Sequence, residues 1–337
     1  MRHSAKTVSA FAVILVALAP LSALAEVYDL PPAGNDVVGA LTKVSARADD
    51  TLLDIARRHG LGYEDIVRAN PDVDTWLPGE GTEVVLPTQY VLPPGPRRGV
   101  VLNLAEYRLY YYPEPAEGEP AVVMTYPISI GRMDWETPLG RTSITQKVRN
   151  PSWYPPESIR AEHAADGDPL PRIVPPGPDN PLGEYAMRLG IPGYLIHGTN
   201  RPAGVGMRVT HGCIRMFPED IDYLFGRVGV NTPVRIINEP VKVGWQGDRL
   251  FVEVHKTLEV AEPDPSVEAS PEGGTPDEPP PPRDALTALT AQFVVATNVR
   301  PGALDWDVAE LLLARADGMP AAAGRSLKDA ATSAASE

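Results

Sequence analysis

Between residues 97 and 238 the sequence breaks into short runs rich in β-branched and aromatic residues, divided by glycines, prolines and charged clusters. Such punctuation favours strands over long helices. Runs at 100–104, 108–112, 122–130, 142–148, 194–197 and 234–237 read as strands. In the second run, alternation sends Leu109 and Tyr111 to one face and Tyr110 and Tyr112 to the other. Pro218, Glu219 and Asp220 open a helix that runs to about residue 228. Residues 150–181 carry many prolines and little periodicity. A stretch of that length is not an idle loop in a compact domain, so it reads as the lid or wall of a cleft.

The flanks divide into further units. Residues 1–25 have the form of a secretory signal: Arg2 and Lys6, an apolar run too short to span a bilayer, and an Ala23-Leu24-Ala25 cleavage site. The mature chain would start at Glu26, outside the cytoplasm and without stable membrane insertion. Cleavage removes 2 of 30 Lys+Arg and none of 44 Asp+Glu, so the formal charge goes from −14 to near −16. So acidic a chain has no electrostatic reason to bind nucleic acid or anionic lipid. Residues 26–40 form an N-terminal segment. Residues 41–88 read as a small βααβ unit: a strand at 41–46, a helix capped by Asp50 and ended by Gly60, a short helix at 63–70 stopped by Pro71, and a strand at 82–86. After a linker at 93–96 and the 97–238 domain, 239–260 alternates like a strand extension of the main sheet. Residues 261–284 are a proline-rich acidic linker. Residues 285–337 read as two helices, lined by Leu286, Leu289 and Phe293 and by Val308, Leu311 and Leu312, forming a helical hairpin with a disordered tail after Gly318. The fold class is α+β with a mainly β central domain.

The chemistry centres on the single cysteine, Cys213, which has no partner for an intramolecular disulfide. A free thiol in an exported chain calls for an explanation. Twelve residues separate His197 from the run Thr210-His211-Gly212-Cys213. Gly212 allows a tight turn just before the thiol, so that backbone N–H groups can face a developing oxyanion. A thiol of ordinary pKa near ~8.5 needs a base or cation beside it, and His197 and His211 are the candidates. Three readings stay open on residue chemistry alone: a Cys–His nucleophile pair, a zinc site of His197, His211 and Cys213, and a structural cysteine. Neither CxxC nor HExxH spacing supports the zinc site.

HGTN at 197–200 and THGCIRM at 210–216, with NPSWYPP from Asn150, GPDNPLG from Gly177 and PEDIDYLF from Pro218, resemble the YkuD (ErfK/YbiS-like) L,D-transpeptidases. The resemblance implies a β-sandwich-like catalytic fold, needing neither metal nor organic cofactor. It assigns Cys213 as nucleophile, His197 as proton acceptor and donor, and the Gly198 backbone carbonyl as the group orienting His197. His211 lines the site, Gly212 supplies an oxyanion N–H, and Thr210 and Arg215 contact substrate. Arg215 stands where the broad family often has Asn and the Gram-negative-like branch carries Arg. The implied partners are peptidoglycan stem peptides and glycan strands in the periplasm, with a wall-anchored envelope lipoprotein as one acceptor; water as acceptor would make an L,D-carboxypeptidase. DDTLLDIARRHGL, IVRANP, LPG and VVLP resemble a LysM module, which implies glycan contacts near Asp50, Thr51, Asn70 and Pro71. A non-catalytic LysM-type wall-binding protein is the competing reading.

Overall fold

The computed structural model describes residues 26–132, 135–258 and 284–327. The signal segment, nearly all of the acidic linker and the last ten residues lie outside the described residues.

The first strand, β1 (Glu26–Asp29), belongs to the central domain, although the N-terminal segment carried no strand expectation. It pairs antiparallel with 122–125. The next unit has the βααβ order, with β2 (Val37–Ser45), α1 (Leu52–Arg58), α2 (Tyr63–Ala69) and β3 (Glu83–Val91). Leu52, Ile55, Leu61, Ile66, Val84 and Leu86 form its core. Both strands are longer than their apolar runs suggest, because their outer halves pack on the central domain through Val38 and Tyr90. The helix cap is also corrected. Thr51, not Asp50, caps α1, in a reciprocal bond with Asp54. Asp50 is instead buried, accepting from the Arg47 N–H and both Arg58 nitrogens.

The central domain contributes β4 (Gly99–Asn103), β5 (Arg108–Tyr112), β6 (Val122–Pro127), β7 (Ile130–Gly131) and β8 (Gly140–Arg149). Then follow α3 (Glu157–Ala165), β9 (Tyr185–Leu189), β10 (Leu195–His197), β11 (Arg208–Thr210), β12 (Ile214–Arg215), α4 (Pro218–Phe225) and β13 (Pro233–Ile237). Nine strands make one sheet in the order β1-β6-β5-β4-β13-β8-β9-β10-β12. Leu109 and Tyr111 enter the main core, while Tyr110 and Tyr112 enter a second core with Val38, Tyr90 and Leu92. Both faces of β5 are therefore covered, the second by the βααβ module. The 150–181 wall holds α3 and is tied together by Asn180, whose amide donates to the carbonyls of Pro151, Val174 and Pro175.

The C-terminal part departs most from expectation. Strands β14 (Val241–Gln246) and β15 (Arg249–Val254) do not extend the main sheet. They join β16 (Gly302–Leu304) and β17 (Ala321–Ser326) in a separate sheet of order β14-β15-β17-β16. Helices α5 (Ala285–Thr297) and α6 (Trp306–Arg315) pack on it through Ala288, Leu289, Ala309 and Leu312. The unit is α+β, not a helical hairpin, and part of the expected disordered tail is the inner strand β17. Its sequence, AAAGRS, has little intrinsic strand preference. Pairing on both edges imposes the strand, and its small side chains let the helices approach.

Buried charge joins this unit to the others. The Lys242 ammonium bonds Glu106 and Glu253, and Glu253 also bonds His255 and accepts from the Val91 N–H.

Candidate active site

Strands β10 and β12 lie parallel, with Ile196 opposite Ile214 and His197 opposite Arg215. Ile196 and Ile214 point into the core at 0% and 1% exposure. The pleat therefore turns His197 and Arg215 to the other face, and Cys213 directly precedes β12. His197 and Arg215 thus share one face of this pair, and the Arg215 charge acts on both the His197 ring and the Cys213 thiol.

His197 is buried, with Nδ1 2.6 Å from the Gly198 carbonyl. A carbonyl only accepts, so this contact assigns the proton to Nδ1 and leaves the Nε2 lone pair free. Burial, and then the Arg215 charge, push its pKa down to about 3, against the weaker pull of the Gly198 and Leu182 carbonyls. Burial also pushes the Cys213 thiol up. Its Sγ lies 3.7 Å from the Gly193 carbonyl. Both shifts favour a neutral thiol and a neutral imidazole in the free protein.

The turn before the thiol is pinned by two hydroxyls. Gly212 has φ +93°, and a Cβ there would stand 2.8 Å from the Tyr194 ring. Thr137 Oγ1 donates to the Gly212 carbonyl at 2.9 Å, and Thr210 Oγ1 donates to the Cys213 carbonyl at 2.7 Å. The first bond orients the peptide plane that carries the Cys213 N–H. Thr210, expected to contact substrate, spends its hydroxyl proton on this turn and keeps only acceptor lone pairs.

His211 faces elsewhere. Its Nε2 lies 3.0 Å from Glu162 Oε2 and 3.4 Å from Arg132 Nη2, and its ring meets Trp135 edge-on at 5.2 Å. Arg132 also bonds Glu162 at 2.7 Å, and Arg132 first, then His211, hold the Glu162 carboxyl below its usual range. In an unbroken strand His211 and Cys213 would share a face. The positive φ at Gly212 breaks that alternation. Sequence reasoning missed Glu162, Arg132, Trp135 and Thr137, none of which has a local signal; Glu162 lies 49 residues from His211.

Arg215 is largely enclosed. Its Nε is buried without a hydrogen-bond partner, and among the described residues no carboxylate pairs with its guanidinium. Burial and the nearby Arg201 push its pKa down. Such a group is suited to an incoming carboxylate. The four glycan-site candidates are spread differently. Asp50 pairs with Arg58 and Thr51 caps α1. Asn70 is buried, donating to the Ile66 and Val85 carbonyls and accepting from the Val85 N–H, so its amide splices α2 to β3. Of the four, Pro71 alone is exposed. A cavity of about 560 Å³ opens behind Gly198 and Thr199, with Glu184, Glu219 and Asp222 on its walls.

The ligand atoms of His197, His211 and Cys213 do not converge as a metal set. Among the described residues, Glu106, Glu253 and His255 alone come within 4.8 Å of one another. The Lys242 ammonium bonds both carboxylates there and acts as their counter-cation.

Residues 97–236 match the model of the YkuD family, described as the L,D-transpeptidase catalytic domain. The chain is 45% identical over 250 residues to "Probable L,D-transpeptidase YcfS" of Escherichia coli K12, covering 72% of this chain and 76% of that one. It is 40% identical over 266 residues to "Probable L,D-transpeptidase YbiS" of the same strain, covering 78% and 85%. Among solved structures, L,D-transpeptidase 3 from Mycobacterium tuberculosis aligns over 46% of this chain and 66% of that one, at 21% identity and a TM-score of 0.30. The chain belongs to the L,D-transpeptidase family. It is an enzyme of that class, an L,D-transpeptidase.

Proposed function

We propose that Cys213 carries an acyl group as a thioester between peptidoglycan stems. The observation that carries this reading is the placing of His197 and Arg215 on one face of the β10–β12 pair, with Cys213 directly before β12 and the His197 Nδ1 proton turned to the Gly198 carbonyl. A tetrapeptide stem docks with a carboxylate on Arg215, which lowers the cost of enclosing that charge. His197 Nε2 takes the thiol proton as Sγ bonds to the carbonyl carbon at the L-centre of the third residue. The Gly212 and Cys213 N–H groups receive the oxyanion. The bond to terminal D-Ala breaks, and His197 returns its proton to the departing amine. An acceptor amine then attacks the thioester and releases the thiol. A neighbouring stem as acceptor gives a 3–3 cross-link, an envelope lipoprotein lysine gives wall attachment, and water gives a carboxypeptidase product.

The signal-like leader supports action in the periplasm, and among the described residues no helix is long and apolar enough to cross a membrane. The βααβ order and the segments quoted above support a LysM-like reading of the module, with glycan near the exposed Pro71. Mass spectrometry of muropeptides after incubation with the mature protein tests the whole reading. Loss of tetrapeptides with gain of 3–3 dimers or tripeptides is expected, and the same products from Cys213→Ala would refute it.

A further inference from the structure

The βααβ module meets the catalytic chain at a seam that glycan binding does not require. Two backbone N–H groups of α2, on Tyr63 and Glu64, donate to the carbonyls of Val205 and Gly206 at 3.0 and 3.3 Å. Val205 and Gly206 lie between His197 and Cys213 in the chain. The contact is glycine on glycine. A Cβ on Gly62 would stand 2.7 Å from Gly206 Cα, and one on Gly206 would stand 2.4 Å from the Tyr63 nitrogen. Beside it, Arg57 clasps Glu219 with two bonds of 2.7 and 2.8 Å, and its guanidinium lies 5.4 Å from the Phe217 ring. Below it, the fully buried Arg108 bonds Asp65 of α2 at 2.5 Å.

The other side of the same segment faces the guanidinium in the site. A Cβ on Gly204 would come 3.8 Å from Arg215 Nη1. Ser129, itself 0% exposed, donates its hydroxyl to the Gly204 carbonyl at 2.7 Å and exchanges backbone hydrogen bonds with Arg215. The chain at 204–206 is thus held between the module and Arg215. We infer that the βααβ module is part of the substrate-binding wall. By fixing Val205 and Gly206, it holds Gly204 over Arg215 and sets where the substrate carboxylate docks, with Gly62 and Arg57 as positioning residues. This rests on the carboxylate role proposed for Arg215. It gives the module a task on substrates that carry no glycan at all.

The test uses the mature full chain and a soluble tetrapeptide stem free of sugar. Gly62 has φ −89°, which any residue adopts, so Gly62→Val strains no backbone torsion, and its added atoms meet Gly206 first and then the Pro127 side chain. It should raise KM for the stem roughly tenfold, about one net hydrogen bond's worth. Turnover at saturation and the rate of Cys213 alkylation by iodoacetamide should stay within about twofold of wild type. Arg57→Glu should raise KM in the same way, and pairing it with Glu219→Arg should restore KM by reversing the clasp. Circular dichroism and Tm confirm that each variant is folded. An unchanged KM in folded Gly62→Val, or a swap that does not rescue, overturns the inference while leaving the chemistry at Cys213 intact. A normal KM in Arg215→Ala removes the carboxylate reading, and the inference with it; that failure is distinguishable because the seam of Arg215→Ala is untouched.

Discussion

A histidine with its pKa near 3 carries no proton at pH 5–8, and a thiol pushed up by burial keeps its own. Proton transfer from Cys213 to His197 therefore belongs to the reacting complex and not to the resting protein. Alkylation of free Cys213 by iodoacetamide should accelerate only at or above the ordinary thiol range of ~8.5. A thiol titrating near pH 6 would show a standing ion pair and contradict this. Transfer activity should hold down to pH 5, because the base form of His197 is lost only near its low pKa. His197→Ala should lower kcat by roughly 10²–10⁴-fold while leaving the alkylation profile nearly unmoved. The turn residue Thr137 gives a finer test. Thr137→Val frees the Gly212 carbonyl and lets the peptide carrying the Cys213 N–H rotate. Its kcat should fall roughly tenfold, less than the 10²–10³-fold typical of deleting an oxyanion donor outright, with KM little changed.

Strand β1 encloses a carboxyl beside the Tyr28 hydroxyl. Glu26 is raised to about 7, chiefly by burial, with the Tyr28 hydroxyl opposing. Its folded pKa thus exceeds the unfolded value near 4.5, and the fold binds the proton more tightly than the unfolded chain does. The stability this proton contributes is complete below pH 4.5, declines as pH rises to about 7 and is then gone. About 2.5 units correspond to roughly 3 kcal/mol. Urea unfolding from pH 4 to 9 should show that decline in wild type and a much flatter curve in Glu26→Gln. Parallel curves for the two proteins would show that Glu26 is solvated. The wall at 150–181 makes a different point about elements. It reads as a lid from length and proline content alone, yet what it supplies is a helix, α3, and through Glu162 a fixed orientation for His211.

Across the whole molecule, the three units meet at Glu106, Lys242, Glu253 and His255. Lys242 and Glu253 are fully buried, and Glu106 nearly so. Glu253 is held down at about 2, because the Lys242 and His255 charges outweigh its burial, whereas burial raises Glu106. Removing the cation should leave two enclosed carboxylates with His255 alone beside them. Lys242→Met should cost about 3–5 kcal/mol in denaturant unfolding, far more than a surface ion pair such as Lys43–Glu83. A loss below about 1 kcal/mol would mean that water reaches the cluster.

The spacing of His197, Gly212 and Cys213 is chemistry written along one chain, so it was legible without a structure. The same holds for the strand alternation at 108–112 and the βααβ order, because strand period and helix caps are local. Other features needed the fold, since their causes are distant. Thr51 displaces Asp50 as the cap because Arg58 claims Asp50. Thr210 locks a turn because the Cys213 carbonyl lies within its reach. Ala321–Ser326 becomes a strand because two neighbours pair with it, against its own weak preference. Glu162 reaches His211 across 49 residues, and Gly62 meets Gly206 across more than a hundred. Local composition decides which groups are present. Which of them remain free for chemistry is decided by long-range pairing, which commits some hydrogen bonds and charges internally and, among the described residues, leaves Arg215 without a carboxylate.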